Sequence, residues 1–275
     1  MPAQSDPRRP RPAKASTPAS ASARPQRGDR ARDQPAGSRA RRPASARPVI
    51  PDDVTGSELD GDVRRQLRTL PTDLATKVAR HLVMAGQLLD DDPDTAYAHA
   101  AEARRLASRV PAVREAAGLS AYAAGRFADA LTELRAATRM SGRPDLLPLI
   151  ADAERGVGRP ERALSLAASE EVRSLTTDGR VEMAIVASGA RRDLDQPDAA
   201  VVALQIPELR REQREPWFAR LAYAYAEALE AVGRSDEAVS WLRRAVDADR
   251  DGSTGAAERW EELHGVTLAE ESDPP

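Results

Sequence analysis

A turn followed by small residues at helical spacing returns five times along this chain, and that recurrence limits the fold more than any other feature. The clearest copy runs Ala117-Gly118, then Gly125-Arg126-Phe127, then Ala130, Leu134 and Ala137. Gly125 allows a sharp reversal because glycine enters the left-handed backbone region at no steric cost. Ala130, Leu134 and Ala137 stand at i, i+4 and i+7 and share one helix face. One helix ending near Ala124 and another starting near Phe127 therefore form a hairpin. The arrangement returns as Gly158-Arg159-Pro160 before Ala163 and Ala167, and as Gly233-Arg234-Ser235 before Ala238, Leu242 and Ala245. Looser copies are Pro197-Asp198 before Ala200 and Leu204, and Pro93-Asp94 before Ala96, Ala100 and Ala103. The anchors Ala96, Ala130, Ala163, Ala200 and Ala238 are spaced by 34, 33, 37 and 38 residues. Where two helices cross closely a larger side chain would collide, which is why Ala or Gly stands at these points.

Five antiparallel helix pairs follow. Ahead of them Ser57 and Asp60 mark a helix start, with Val63, Leu67 and Leu70 on one face and Pro71 closing it. Thr72 is placed to cap the next helix, running to about Leu89. Behind the pairs, Ser253 or Thr254 begins a short helix through Trp260 and Leu263 that closes the end of the stack. The third and fourth units lack the glycine of the leading helix and carry Pro at the turn aromatic, which leaves their boundaries open.

Residues 57 to about 267 resemble a tetratricopeptide-repeat array, in which paired helices recur with a period near 34. The stretches VARHLVMAGQLLDDDPDTAYAHA (78–100), VREAAGLSAYAAGRFADALTELRAATRM (113–140) and ERGVGRPERAL (154–164) are similar to an actinobacterial family with that repeat. The resemblance implies an all-α fold, a right-handed superhelix of antiparallel helix pairs. It implies no reaction, and a scaffold that binds a peptide or helix of another protein on its concave face. Gly118, Gly125, Gly158 and Gly233 would join the five alanines in repeat packing. The leading helix of each pair would line the groove, placing Tyr122, Arg155, Arg192 and Glu230 there at corresponding points. Two guanidinium groups in one recess favour carboxylates, so Arg155 and Arg192 point to an acidic partner segment. The Lys and Asn arrangement with which chaperone-binding relatives clamp a C-terminal carboxylate is missing.

Residues 1–55 carry a different texture. Pro, Ser, Ala and Arg dominate, and nothing there offsets the entropy of folding, so a disordered tail is expected. Residues 56–267 form the repeat domain and 268–275 a second disordered end. Within residues 1–50, twelve Arg or Lys face only Asp6, Asp29 and Asp33, a net +9, whereas the other 29 basic and 41 acidic residues leave −12. Such a tail would attract nucleic acid or a ribosome, and this gives an alternative function as an adaptor. Cysteine is absent, which excludes disulfides and thiolate chemistry. With no long apolar run and no hydrophobic stretch behind the basic N-terminus, neither a membrane contact nor a secretory signal is expected, and a cytoplasmic location fits.

No constellation points to an enzyme or a cofactor. Asp90, Asp92 and Asp94 alternate as in a calcium loop, yet Thr95 replaces the required glycine and Ala101 the bidentate glutamate. A helix start with Asp92 as N-cap and Pro93 at the first position explains them better. Gly156-Val157-Gly158 lacks both a preceding strand and a third glycine, and reads as a repeat turn. His81 and His99 can approach within one hairpin but have no third ligand. Charged residues such as Glu170 and Glu171 read as solvated faces. Trp217, Phe218, Tyr223, Tyr225, Trp241 and Trp260 read as packing beside the terminal helix rather than as stacking platforms for bases.

Overall fold

The computed structural model describes residues 48–210, 215–250 and 252–264. Among them stand twelve α-helices, two short 3-10 segments at Glu170–Ser174 and Pro207–Arg210, and no strand. The five expected pairs are α2 (Thr72–Gln87) with α3 (Pro93–Ala107), α4 (Pro111–Ala123) with α5 (Phe127–Ser141), α6 (Leu147–Gly156) with α7 (Pro160–Ala167), α8 (Thr177–Asp193) with α9 (Pro197–Ala203), and α10 (Phe218–Ala231) with α11 (Ser235–Ala248). They are flanked by α1 (Gly61–Leu67) and α12 (Ala256–His264). Each paired helix packs chiefly on its chain neighbours, while α2 also meets α4, and α8 meets both α6 and α10.

The five anchoring alanines are each 0% exposed. At the place Gly118 holds in α4, the later leading helices hold Ala151, Ser188 and Ala226, all buried. A Cβ at Gly118 would lie 2.6 Å from the Leu134 side chain, so the α4–α5 hairpin closes tighter than alanine admits. Leu134 is itself fully buried, a burial of the kind that contributes about 1.5–3 kcal/mol per side chain.

The turns share one hydrogen-bond pattern. Arg126 N–H donates to the Ala121 carbonyl and Gly125 N–H to that of Tyr122. Arg159 and Gly158, Gln196 and Asp195, and Arg234 and Gly233 repeat the same two bonds. This is the Schellman closure, which places the residue after the helix in the left-handed region. Gly125, Gly158 and Gly233 have φ of +67°, +75° and +76°, and Asp195, at +55°, takes the glycine's place in the fourth pair. The fourth boundary, open in the sequence, falls at Asp195. Helix starts follow the same economy: Pro93, Pro111, Pro160 and Pro197 open α3, α4, α7 and α9, where the missing N–H is no loss. The Asp92 side chain accepts from Thr95 N–H at 3.1 Å, which is the capping role expected of it.

Several boundaries differ from expectation. Asp60, not Ser57, caps α1; the Ser57 hydroxyl instead pairs with Thr55 at 2.7 Å, three residues upstream of the cap. Pro71 occupies the N-cap of α2 with Thr72 already helical, and α2 ends at Gln87. The last helix begins at Ala256 because the Asp249 carboxylate holds Ser253 and Thr254 in a loop, accepting both their backbone N–H groups. Residues 50–55, expected within the tail, pack on α2. Val54 is 6% exposed against Val83 and Met84, and Arg80 Nε donates to the Val54 carbonyl at 2.6 Å. The tail expectation for residues 1–47 and the C-terminal one for 268–275 lie outside the described residues.

The aromatics of the last third serve packing. Trp217, Phe218 and Tyr225 are buried in the cluster that joins α8, α10 and α11. The Tyr225 and Trp241 rings meet edge to face at 5.0 Å, and the Arg244 guanidinium lies 3.9 Å from the Trp241 ring centre. Among the described residues no helix is long and apolar enough to cross a membrane.

Candidate functional site

Tyr122, Arg155, Arg192 and Glu230 hold one register position, each three residues before the left-handed turn residue that ends its helix. Each also joins its leading helix to the next one. The Tyr122 hydroxyl donates to Asp152 on α6. Arg155 reaches α8, where Nε donates to Asp193 at 2.8 Å, while Nη1 donates to Asp152 at 2.6 Å. Arg192 meets Glu227 of α10 at 3.3 Å, and Glu230 accepts from Arg259 of α12. A polar ladder therefore runs from α4 to α12 through the positions singled out in the sequence. Gly189 leaves room for the Arg155 guanidinium where it lies, since a Cβ there would make it shift.

The ladder residues line separate recesses, and Arg155 with Asp152 and Asp193 also lines one beside Phe127 and Pro160. Tyr122 and Arg155 line a cavity of about 560 Å³ walled by α4, α6, α8 and the segments leading into α6 and α8; no residue of α5, α7 or α9 takes part. Arg192 and Glu230 line a separate recess with Glu227, Ala231 and Arg259. Arg155 and Arg192 thus line different recesses. Leu119, Leu149, Ile185 and Val186 give the first cavity an apolar surface. Its rim is acidic, with Asp145, Asp152, Asp178 and Glu182 facing Arg155 as the one lining cation among the described residues.

Local chemistry sharpens this asymmetry. Asp193 adds a fifth carboxylate beside the cavity, and the paired cations are Arg143 on Asp145, Arg155 on Asp152 and Asp193, and Arg220 on Asp178 and Glu182. Five carboxylates thus share three guanidinium groups. Burial pushes the Glu182 carboxyl above its usual range; Arg220 pulls it down, while Asp178 adds to the rise. Burial, and then the hydrogen bond to Asp152, raise the Tyr122 phenol well above its usual value. For Arg155 burial acts downward, but Asp193 and Asp152 outweigh it and hold the guanidinium charged.

Two buried polar features lie outside the ladder, and only the first of them escaped the sequence. Glu133, 3% exposed, accepts from Arg104 of α3 and Arg114 of α4, both at 2.6 Å. Glu154, 0% exposed, accepts from Arg135, with Arg159 at 3.6 Å. These carboxylates staple consecutive helices and are not solvated faces, whereas Glu170 and Glu171 are exposed as expected. The second feature is His81 against His99, with Nδ1 atoms 3.0 Å apart and exposures of 8% and 1%. Among the described residues no group of three or more His, Cys, Asp or Glu is placed to hold a metal. No family model matches the chain, and no curated protein matches it.

Proposed function

We propose that this chain is a non-catalytic protein-interaction scaffold. In this reading its helix pairs form a tetratricopeptide-like array wound as a right-handed superhelix, and the leading helices hold a segment of another protein. The observation that carries the reading is the cavity between α4, α6 and α8, built by three successive leading helices with no contribution from the trailing ones. Its volume suits a few anchoring side chains, and its mixture of aliphatic wall and a few convergent polar groups is that of a recognition site. The ladder residues in its lining, Tyr122, Asp152 and Arg155, link the leading helices, which keeps the site preorganised and lowers the entropy cost of binding.

The test is selection of a displayed random peptide library on the full chain, repeated on Leu119→Trp. Leu119 is half-exposed at the cavity wall, so an indole there fills the space that an anchor would occupy. Circular dichroism checks that the variant keeps its helices. Peptides that bind the wild type and lose at least about tenfold on the variant support the scaffold. A selected set that binds both proteins equally removes the cavity as the site.

A further inference from the structure

At Arg155 the surrounding chemistry disfavours an acidic partner. Arg155 already spends Nε, Nη1 and Nη2 on Asp152 and Asp193, so an incoming carboxylate would have to displace them. It would also enter a rim where carboxylates exceed guanidinium groups by five to three. Like charge in a half-buried recess is costly, and a cation there is favoured for the same reason. The aliphatic side chains Leu149 and Ile185 share the cavity with Asp178 and Glu182. A long basic side chain fits that mixture well, because its methylene stem can lie on apolar surface while its head meets carboxylates.

We infer that the α4–α6–α8 cavity takes a basic segment of a partner protein, in which a lysine or arginine is flanked by aliphatic anchors. This rests on the scaffold reading and names the partner class of the same site. The basic head meets Asp178 and Glu182 at the α8 wall, where among the described residues one half-exposed guanidinium, that of Arg220, pairs with both carboxylates. The aliphatic flanks replace water over Leu119, Leu149 and Val186. Electrostatic attraction of this kind speeds encounter and selects the partner, and the apolar contacts hold it.

The probe is the displayed peptide library bound to the full chain, counter-selected on Leu119→Trp so that only cavity binders remain. The expected set carries an excess of Lys and Arg next to aliphatic residues. Synthetic copies should bind about tenfold more weakly to Asp178→Asn with Glu182→Gln, and weaken as salt is raised. The two substitutions are close to isosteric, and an unchanged unfolding midpoint separates lost binding from lost folding. Cavity-dependent peptides that are neutral or acidic, or that bind the neutralised variant as well as the wild type, overturn this inference and leave the scaffold standing. If no peptide distinguishes wild type from Leu119→Trp, the scaffold reading falls and the inference with it.

Discussion

Stability should fall as pH drops from about 7 towards 5.5, and the His81–His99 pair is the reason. One Nδ1–H must donate to a bare Nδ1 on the other ring, so the 3.0 Å contact cannot survive double protonation. Burial pushes both imidazoles below the usual histidine value, and each ring's position on a closed α2–α3 hairpin gives water little access. Arg80 and Arg105 press His81 further down, Glu102 pulls it up, and His81 lowers His99. The folded state therefore binds fewer protons than the unfolded chain at pH values just below about 6.5. Stability is complete above that value and is lost as pH falls towards the depressed folded values. Each site then contributes a slope of about 1.4 kcal/mol per pH unit, so the limit for two is about 2.7.

Urea unfolding followed by far-ultraviolet circular dichroism measures this across the pH range. The control replaces both rings with asparagine, His81→Asn with His99→Asn, since the asparagine amide can occupy the Nδ1 position without titrating. Carboxylates such as Asp92 titrate in both proteins and cancel in the difference. Wild type minus control should steepen between pH 7 and 5.5. Parallel curves would refute the assignment, because the pair would then bind protons as readily folded as unfolded.

Three further outcomes concern packing. Ala130→Leu should lose about 1–3 kcal/mol by overpacking the α4–α5 crossing, where Ala130 is 0% exposed, while exposed Ala128→Leu should stay within about 0.5 kcal/mol in thermal unfolding. Glu133→Ala should cost about 2–3 kcal/mol in urea, somewhat less than a fully buried pair, because Arg104 is 42% exposed and regains water. Asp195→Gly should raise the unfolding midpoint by up to about 1 kcal/mol of stability, and Asp195→Val should lower it by about 1–2 kcal/mol, since only the first relieves a left-handed φ of +55°.

Hairpin architecture was legible because it depends on local rules. The Gly-Arg turn at Gly125, Gly158 and Gly233 states its own backbone geometry, and alanine spacing states which face closes. The fourth turn was harder to read because aspartate tolerates the left-handed region without advertising it as glycine does. Helix starts slipped by a few residues where a competing side chain decided the matter, as when Asp249 captured Ser253 and Thr254. The packing of residues 50–55 on α2 was hidden for a different reason: Ile50 and Val54 are sparse apolar residues next to a Pro- and Arg-rich stretch, and only their long-range contacts set them apart from it.

Tyr122, Arg155, Arg192 and Glu230 share one position relative to their turns, but register alone does not say which charges they meet. A repeat fixes where a side chain starts and leaves open which charge it meets. Asp152 lies three residues before Arg155 and is visible as a local partner, but Asp193 comes from the next leading helix, 38 residues later. The repeat lengths of 33 and 37 residues around this point differ enough that small errors in alignment exchange an acidic for a neutral neighbour. Glu133 shows the same limit, since its two arginines come from helices on either side of a turn. In an array where 31% of residues are charged, the sign of a groove is decided by which acids remain in excess once every rung is paired, and that is a property of the packed helices.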